Sequence, residues 1–146
     1  MYVSFLKTIN MTKFLVVVAF ALPLSIFGQK APEAVTKAFA AKFPNVTKVG
    51  FDKEGNGEYE AEFKVNGVKM SANFKATGEW VETETEIPTA QLPEKVAAAI
   101  KTAHPKSKIV GAAKIETTNG MRYEADLKRG GRKAEVLYDE NGKFIK

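Results

Sequence analysis

The stretch YEADLKRGGRKAEVLYDENGKF, from Tyr123 to Phe144, has the alternating side chains and the turn residues of β-hairpins. An earlier stretch, YEAEFKVNGVKMSANFKATGEW, runs from Tyr59 to Trp80 and has the same length and register. Tyrosine, glutamate, alanine and lysine recur at matching positions, and so do the glycines of both turns. The sequence therefore predicts a duplicated structural unit.

The duplication extends upstream into a helical segment in each copy. With an offset of 61 residues, PEAVTKAFAAKFPNVTKVG (32–50) aligns with PEKVAAAIKTAHPKSKIVG (93–111). The first proline of each segment suits the first helical turn, where a missing N–H costs nothing, and the second proline ends the helix. Apolar residues spaced by four predict one buried stripe per helix. The stripes consist of Val35, Phe39 and Phe43 in the first copy and Val96 and Ile100 in the second.

The first strand of the earlier copy alternates between an apolar and a charged side. Tyr59, Ala61 and Phe63 point to one face, and the glutamates between them point to the other. The dipeptides Asn66-Gly67 and Gly130-Gly131 predict two-residue hairpin turns that need positive φ at both positions. Each copy therefore contains a hairpin with one apolar face.

The second turn of each copy, KATGE or DENGK, has two interpretations. A type I turn with a glycine bulge places Trp80 beside Phe74 and Phe144 beside Tyr138. A plain two-residue turn sends both aromatic side chains to the opposite face. The Asn-Gly-Lys and Thr-Gly-Glu sequences favour the bulge.

One unit of this size has a single helix to cover its sheet and is marginal by itself. We therefore expect an α+β fold in which two tandem helix-plus-strand repeats form one larger antiparallel sheet, with both helices on one face. The predicted single domain spans residues 29–146, with repeats at 31–87 and 88–146. The segment Val81–Gln91 joins them and is predicted to begin as a strand, because its first residues alternate with glutamate.

The N-terminal residues have the pattern of a secretory signal peptide. Lys13 precedes an apolar run, Phe14 to Phe27, that is shorter than the ~20 residues of a membrane span and is followed by Gly28. We expect cleavage after Gly28, which places the mature protein in the periplasm or outside the cell. An uncleaved membrane anchor is the alternative, and Met11 is an alternative start to Met1.

The chain contains no cysteine, which excludes a disulfide framework and a lipid-modified N-terminal cysteine. The formal net charge is +5. It is unevenly spread, because residues 31–88 carry a net −3 and residues 89–146 a net +5. The two halves therefore have opposite charge, which favours contact between them.

Nothing in the mature chain has the pattern of an enzyme, a cofactor site or a metal site. Ser71, Ser107 and His104 are its only serines and its only histidine, and His104 occupies a predicted helix end. Glu58 and the other glutamates on its side of the strand are interpreted as a solvated strand face. Glycosidase acids would need an environment that shifts the pKa of one carboxyl group. The segment DKEGNGE resembles the start of a calcium loop, but Phe63 stands where the twelfth-position glutamate is required.

One face of the predicted sheet carries the candidate binding surface. Asp126 is predicted to lie opposite Glu135, and Lys128 opposite Lys133, and such like-charged pairs are unfavourable. This face is therefore expected to serve binding rather than stability. Its residues are Glu60, Glu62, Lys64, Lys69, Asn73, Glu124, Asp126, Lys128, Lys133, Glu135 and Leu137.

The doubled pattern of Pro-Glu-x-Val helix, YEA[ED][FL]K strand and Gly-x-[WF]-[VI] ending resembles the PepSY-like family of exported, β-lactamase-inhibitor-like bacterial proteins. The resemblance covers about residues 31–146. It implies a fold similar to that of the β-lactamase inhibitory protein, a tandem repeat that presents a sheet surface to an enzyme. It also implies units that restrain peptidases or act as envelope accessory modules. The inhibitory protein is disulfide-bonded, and this chain departs from it in having no cysteine.

The sequence thus predicts an exported, non-enzymatic protein-binding or inhibitory module acting on an extracytoplasmic hydrolase or peptidase. The alternative is an envelope accessory protein that binds anionic surfaces through the basic run KRGGRK, Lys128–Lys133, which can also be a merely solubilising turn. No nucleic acid partner is expected, and no membrane span is expected after signal cleavage. The gene neighbourhood would be the cheapest guide to a target.

Overall fold

Two helices and seven strands make up residues 30–146, the part of the chain that this computed structural model describes. The predicted signal peptide lies outside the described residues. The elements are α1 (Glu33–Lys42), β1 (Val49–Lys53), β2 (Glu58–Val65), β3 (Val68–Lys75), β4 (Trp80–Glu86), α2 (Glu94–Ala103), β5 (Lys108–Thr117), β6 (Gly120–Arg129) and β7 (Arg132–Asp139). A short 3₁₀ turn, Thr89–Gln91, precedes α2.

All seven strands form one antiparallel sheet in the order of the chain, β1 to β7. The α+β class is confirmed. The strand predicted after Trp80 is also confirmed as β4, and it pairs with β5 in the middle of the sheet, with Thr83 opposite Glu116. Beyond β4, the amide of Ile87 donates a hydrogen bond to the carbonyl of Ala112. The backbone ladder therefore runs without a break from the first half of the chain to the second.

Both helices cover the same face of the sheet. Val35 and Phe39 of α1 pack on Ala61 and Phe74, and the two core residues of α2 pack on β6 and β7. The register across β3, β4, β5 and β6 places these strand residues on one face, because side chains alternate along each strand. The predicted apolar stripes are confirmed, since Val35, Phe39, Val96 and Ile100 are all buried.

The buried apolar residues form two clusters, one beneath each helix. Phe39 is the centre of the first, with the rings of Phe43, Phe51, Phe63 and Phe74 at centroid distances of 5.0–6.4 Å. The second contains aliphatic residues and a single buried tyrosine. Between the clusters the helix face carries Thr85 opposite Lys114. The β4–β5 ladder, rather than a shared apolar core, therefore joins the two halves.

The predicted turns are confirmed in detail. Asn66 and Gly67 have φ of 51° and 83°, and Gly130 and Gly131 have φ of 53° and 81°, as a type I′ hairpin turn requires. The bulged interpretation of the second turn is also correct. Phe74 lies opposite Trp80 after a register shift, and Tyr138 forms a bridge with Phe144.

The helix starts differ slightly from the prediction. Pro32 and Pro93 are the residues before the first helical residue, with ψ near 145° rather than helical ψ. Their carbonyls still accept the first hydrogen bonds of each helix, so the prolines begin the helices as N-caps. His104 ends α2, and its amide donates to the carbonyl of Ile100. No helix among the described residues is long and apolar enough to cross a membrane.

Tyr138 carries an unsatisfied polar atom in the second cluster. The residue is 2 % exposed, and its hydroxyl has no hydrogen-bond partner among the described residues. The equivalent residue of the first half is Phe74, which has no hydroxyl. Because an unpaired buried hydroxyl costs about 1–3 kcal/mol, we expect Tyr138→Phe to raise the free energy of unfolding by about 1 kcal/mol or more. Urea denaturation measures this difference.

The control for this variant is Tyr123→Phe, a partly buried tyrosine on the neighbouring strand. This substitution also removes a tyrosine hydroxyl, but from a side chain that is partly exposed to solvent. We expect a change within about 0.5 kcal/mol there, as for most substitutions outside such features. A destabilised Tyr138→Phe variant would show that the hydroxyl has a partner in solution.

Candidate functional site

The face of the sheet opposite the helices is the candidate site, and we call it the open face. Alternation places on it every second residue of each strand, beginning with Glu58 on β2 and ending with Leu137 on β7. All of the predicted surface residues lie on the open face. The like-charged pairs are confirmed as well, since Asp126 lies opposite Glu135 and Lys128 opposite Lys133.

The structure does not bring the predicted residues together as one patch. Lys64 and Lys69 are paired next to the β2–β3 turn, and Lys128 and Lys133 are paired next to the β6–β7 turn. Asn73 is buried within the sheet. Positive side chains therefore lie near the hairpin tips of the open face, and its middle is dominated by carboxylates.

A run of carboxylates crosses the open face from β2 to β7, and we call it the acidic strip. The register brings its members side by side, because Glu60 and Glu82 flank Asn73 on the strand between them. Neighbouring carboxylates repel each other, so this arrangement costs stability. The acidic strip consists of Glu60, Glu62, Glu82, Glu84, Glu124, Asp126 and Glu135.

The sequence prediction missed the two β4 members of this strip, Glu82 and Glu84. The segment VETETE alternates glutamate with Val81, Thr83 and Thr85, which is a strand signal by itself. What could not be seen was that β4 lies in the middle of the sheet, between β3 and β5. Glu82 and Glu84 therefore lie at the centre of the acidic strip and not on a linker between the two halves.

Glu84 lies near the centre of the acidic strip and is largely buried by its neighbours. Burial, together with the nearby carboxylates of Glu60 and Glu82, raises the pKa of its carboxyl group to about 7. Burial likewise raises the pKa of Glu60, and the hydroxyl of Ser71 partly offsets this by hydrogen bonding. At neutral pH the centre of the strip is thus only partly ionised.

Glu124 is the most buried member, with 5 % of its surface exposed. Burial raises its pKa to about 9, and the charges of Glu84 and Glu135 add to the effect. Glu124 and Glu135 share a hydrogen bond, which a protonated carboxyl group can donate to an ionised one. None of the described salt bridges involves Glu124. Its nearest charged neighbours are therefore other acids.

Two apolar residues of β5 lie between these carboxylates. Ile115 is opposite Glu84, and Ala113 is opposite Glu124. Each is 4 % exposed although no helix covers this face, so the longer side chains around them provide the cover. The middle of the open face thus has a narrow apolar floor, with Glu84 and Glu86 on its β4 side and Arg122 and Glu124 on its β6 side.

Some cations lie beside the strip, and Arg122 lies within it, opposite Ile115 of β5. Arg122 lowers the pKa of Glu82, although burial has the larger effect and raises it. Lys69 forms an ion pair with Glu86 at 3.5 Å, and Lys146 is close enough to lower the pKa of Glu135. These contacts offset part of the repulsion at the margins of the strip.

Three members of the strip have the spacing of a cation site. Oxygen atoms of Glu124, Asp126 and Glu135 lie within 4.8 Å of one another. Carboxylate oxygens are the ligands that Ca²⁺ prefers, but Ca²⁺ takes six to eight of them. Three partly shared carboxylates fit a weakly held cation at most.

The remaining concavity of note is a shallow apolar cleft of about 560 Å³ on the helix side, lined by Tyr138, His104 and Phe144 among others. His104 therefore ends a helix next to aromatic rings, as the sequence predicts. The open face contains carboxylates, lysine and arginine side chains, the amide of Asn73 and the hydroxyls of Ser71 and Thr117, but no activated nucleophile beside a base. The chemistry available there is charge recognition and hydrogen bonding.

The described residues thus form an antiparallel sheet with both helices on one face and a polar open face on the other. A family model described as "Putative beta-lactamase-inhibitor-like, PepSY-like" matches residues 57–146. The chain belongs to this PepSY-like family. The match begins just before β2, so α1 and β1 lie outside it. A comparison with curated proteins gives no match.

Solved structures with the same fold come from several Bacteroides species. A protein of B. eggerthii described as a "putative periplasmic" protein has a TM-score of 0.72 at 17% identity, over 80% of this chain and 86% of that one. A DUF2874 family protein of B. ovatus has a TM-score of 0.71 at 21% identity, over 82% and 87%. A BLIP-like protein of B. fragilis has a TM-score of 0.65 at 22% identity, over 79% and 84%. These identities establish the fold alone.

Proposed function

We propose that this protein is an exported, non-enzymatic module that binds another protein through its open face. The observation that carries the proposal is the acidic strip, in which Glu84 and Glu124 are crowded and partly buried on the sheet face opposite the two described helices. Crowding these carboxyl groups lowers the free energy of unfolding. A positively charged partner would relieve their repulsion when it binds. An open sheet face is also a surface on which a second protein can pack.

The family and its structural neighbours support the target class. The family is described as β-lactamase-inhibitor-like, and one neighbour as BLIP-like. We infer from this that the partner is an extracytoplasmic hydrolase or peptidase that the module restrains. The periplasmic description of one neighbour is consistent with export through the signal peptide and cleavage after Gly28.

We also propose that the two halves are a duplicated unit within one domain. The second turn of each half approaches the helix of that half in the same way. A Cβ atom at Gly78 would lie 2.6 Å from the carbonyl oxygen of Ala34, and one at Gly142 would lie 2.6 Å from that of Lys95. These partners are related by the same offsets that align the two copies in the sequence.

Site-specific photo-crosslinking tests the binding face. A photoreactive residue at Ser71, in the middle of the open face, is expected to crosslink the protein to a partner in the cells that export it. The matched control carries the same residue at Ala98, an exposed position on α2. Equal crosslinking from both positions, or none from Ser71, would contradict binding through the open face.

A second candidate function is attachment to anionic envelope surfaces through the β6–β7 turn. The residues Lys128 to Lys133 are all exposed, and Lys108 of β5 lies opposite Lys128. Positive charges are thus concentrated at one end of the sheet, where an anionic surface would attract them. A solubilising turn has no need of such clustering.

Vesicle sedimentation tests this second function. Neutralising Arg129, Arg132 and Lys133 to glutamine is expected to abolish salt-sensitive binding to vesicles that contain phosphatidylglycerol. Neutralising the exposed helix lysines Lys37 and Lys95 together with Lys101 removes the same charge elsewhere and is expected to have a smaller effect. If the two variants lose the same amount of vesicle binding, the binding depends on net charge and not on the β6–β7 turn.

A further inference from the structure

The occupant of the open face can be specified further by the chemistry of its centre. Glu124 is 95 % buried, and the charges that raise its pKa are those of Glu84, Glu135 and Asp126. Because burial and the neighbouring carboxylates raise its pKa to about 9, the carboxyl group of Glu124 keeps its proton at neutral pH, and a cation placed beside it would favour its ionised form. A positive group placed above the acidic strip would therefore compensate its negative charge.

The apolar floor between the carboxylates adds a second requirement. Ala113 and Ile115 occupy β5, between Glu84 on β4 and Glu124 on β6. A lysine or arginine side chain has an aliphatic stem that can lie on such a floor while its charged head reaches the flanking carboxylates. A bare inorganic cation would gain nothing from these two apolar residues.

The length of the strip sets the size of the binding segment. From β2 to β7 there are five strand spacings, which is about 24 Å at about 4.8 Å each. An extended peptide of about seven residues covers this distance, and its alternate side chains point the same way. Three or four positive side chains can therefore meet the strip at once.

We propose that the acidic strip binds an extended, lysine- or arginine-rich segment of the partner protein, with its side chains lying over Ala113 and Ile115 between Glu84 and Glu124. This inference rests on the proposed function and names the chemistry of the partner. The positive pairs near the hairpin tips, Lys64 with Lys69 and Lys128 with Lys133, limit where the segment can lie. Both turns lie at the same end of the sheet, so these lysines repel a cationic segment from that end of the face.

A synthetic peptide of alternating lysine and alanine, eight residues long, is the probe. We expect it to bind the intact mature protein at low salt, with affinity falling as salt rises. The variant Glu84→Gln/Glu124→Gln is expected to bind at least about tenfold more weakly, a loss of about 1.4 kcal/mol. The control Glu33→Gln/Glu94→Gln replaces two exposed helix glutamates in the same way and should bind as the wild type does.

The measurement is fluorescence anisotropy of the labelled peptide, with amide chemical shifts to locate the contact. Shifts centred on β4, β5 and β6 support the inference, and shifts centred on the helices overturn it. Equal affinity for the strip variant and the helix control also overturns it. Full displacement of the peptide by low millimolar Ca²⁺ alone would identify a metal site instead, and concentration-dependent dimerisation would identify a second copy as the occupant.

Failure of this inference can be told apart from failure of the proposed function. If Ser71 crosslinks its partner equally in the wild type and in Glu84→Gln/Glu124→Gln, the open face binds a protein but the strip does not select its charge. If Ser71 captures nothing while the peptide still binds at the strip, the binding chemistry stands and the protein-binding function does not.

Discussion

Cutting the chain at Pro88 is expected to leave neither half folded. The cut removes β5 from β4, so the backbone groups of Glu82 to Glu86 that face β5 lose their partners and become an unpaired edge. Each half also keeps only one helix and one cluster of buried side chains. The expected loss is the whole free energy of folding, on the order of 5–15 kcal/mol for a domain of this size.

Circular dichroism and proton–nitrogen correlation spectra of residues 29–88 and 89–146 measure this result. The control is the intact mature chain, residues 29–146, which is expected to unfold in one cooperative transition. The test is a sharp one, because the two apolar clusters are separate and the halves are joined by the β4–β5 ladder and by Ile87, which packs against the second cluster. A soluble first half with a dispersed spectrum, or two resolved transitions in the intact chain, would show independent repeats.

The stability of the protein is expected to fall as the pH rises from about 5 to about 9. Glu84 and Glu124 have folded-state pKa values near 7 and near 9, both raised from 4.5 chiefly by burial. Across this window the unfolded chain has already released the protons that the folded protein still holds. Folding stability then decreases with pH, because the folded state binds more protons than the unfolded state.

One pKa unit corresponds to about 1.4 kcal/mol, so these two shifts lower stability by at least about 3 kcal/mol over the window. The variant Glu124→Gln keeps the shape and a hydrogen-bond donor toward Glu135 but cannot ionise. We expect it to match the wild type near pH 5 and to be more stable by on the order of 2 kcal/mol near pH 9. Chemical denaturation at a series of pH values measures both curves.

Glu140→Gln is the control for this prediction, because Glu140 is an exposed turn residue outside the open face. It is expected to keep the slope of the wild type. If the curve of Glu124→Gln runs parallel to that of the wild type at every pH, the carboxyl group of Glu124 is solvated in solution, and the electrostatic argument for the acidic strip is wrong.

Local features of this fold could be read from the sequence with good accuracy. The turn at Asn66-Gly67 dictates the pairing of its two strands, because a two-residue type I′ turn leaves one register. The glycine bulge then places Trp80 beside Phe74. Pro44 and the spacing of Val35 and Phe39 likewise determine where α1 ends and which side it buries. These features depend on neighbours within a few residues.

The candidate site was only partly predictable. The strand alternation assigned Glu60 and Glu124 to the open face correctly, but it indicated nothing about how deeply each would be buried. Asn73 was expected on the binding surface and is instead 4 % exposed within the sheet. Burial depends on what the neighbouring strands contribute, and those neighbours are distant in the sequence.

The sequence by itself determined the hairpins, the two helices, the α+β class and the alternation of charge along each strand. These follow from backbone geometry and from side-chain periods of 2 and 3.6 residues. The tertiary structure alone decided that β4 pairs with β5, which brings Glu84 beside Glu124 across one strand of apolar floor. The raised pKa values and the acidic strip are consequences of that pairing, because desolvation and charge repulsion depend on distances in space and not on spacing along the chain.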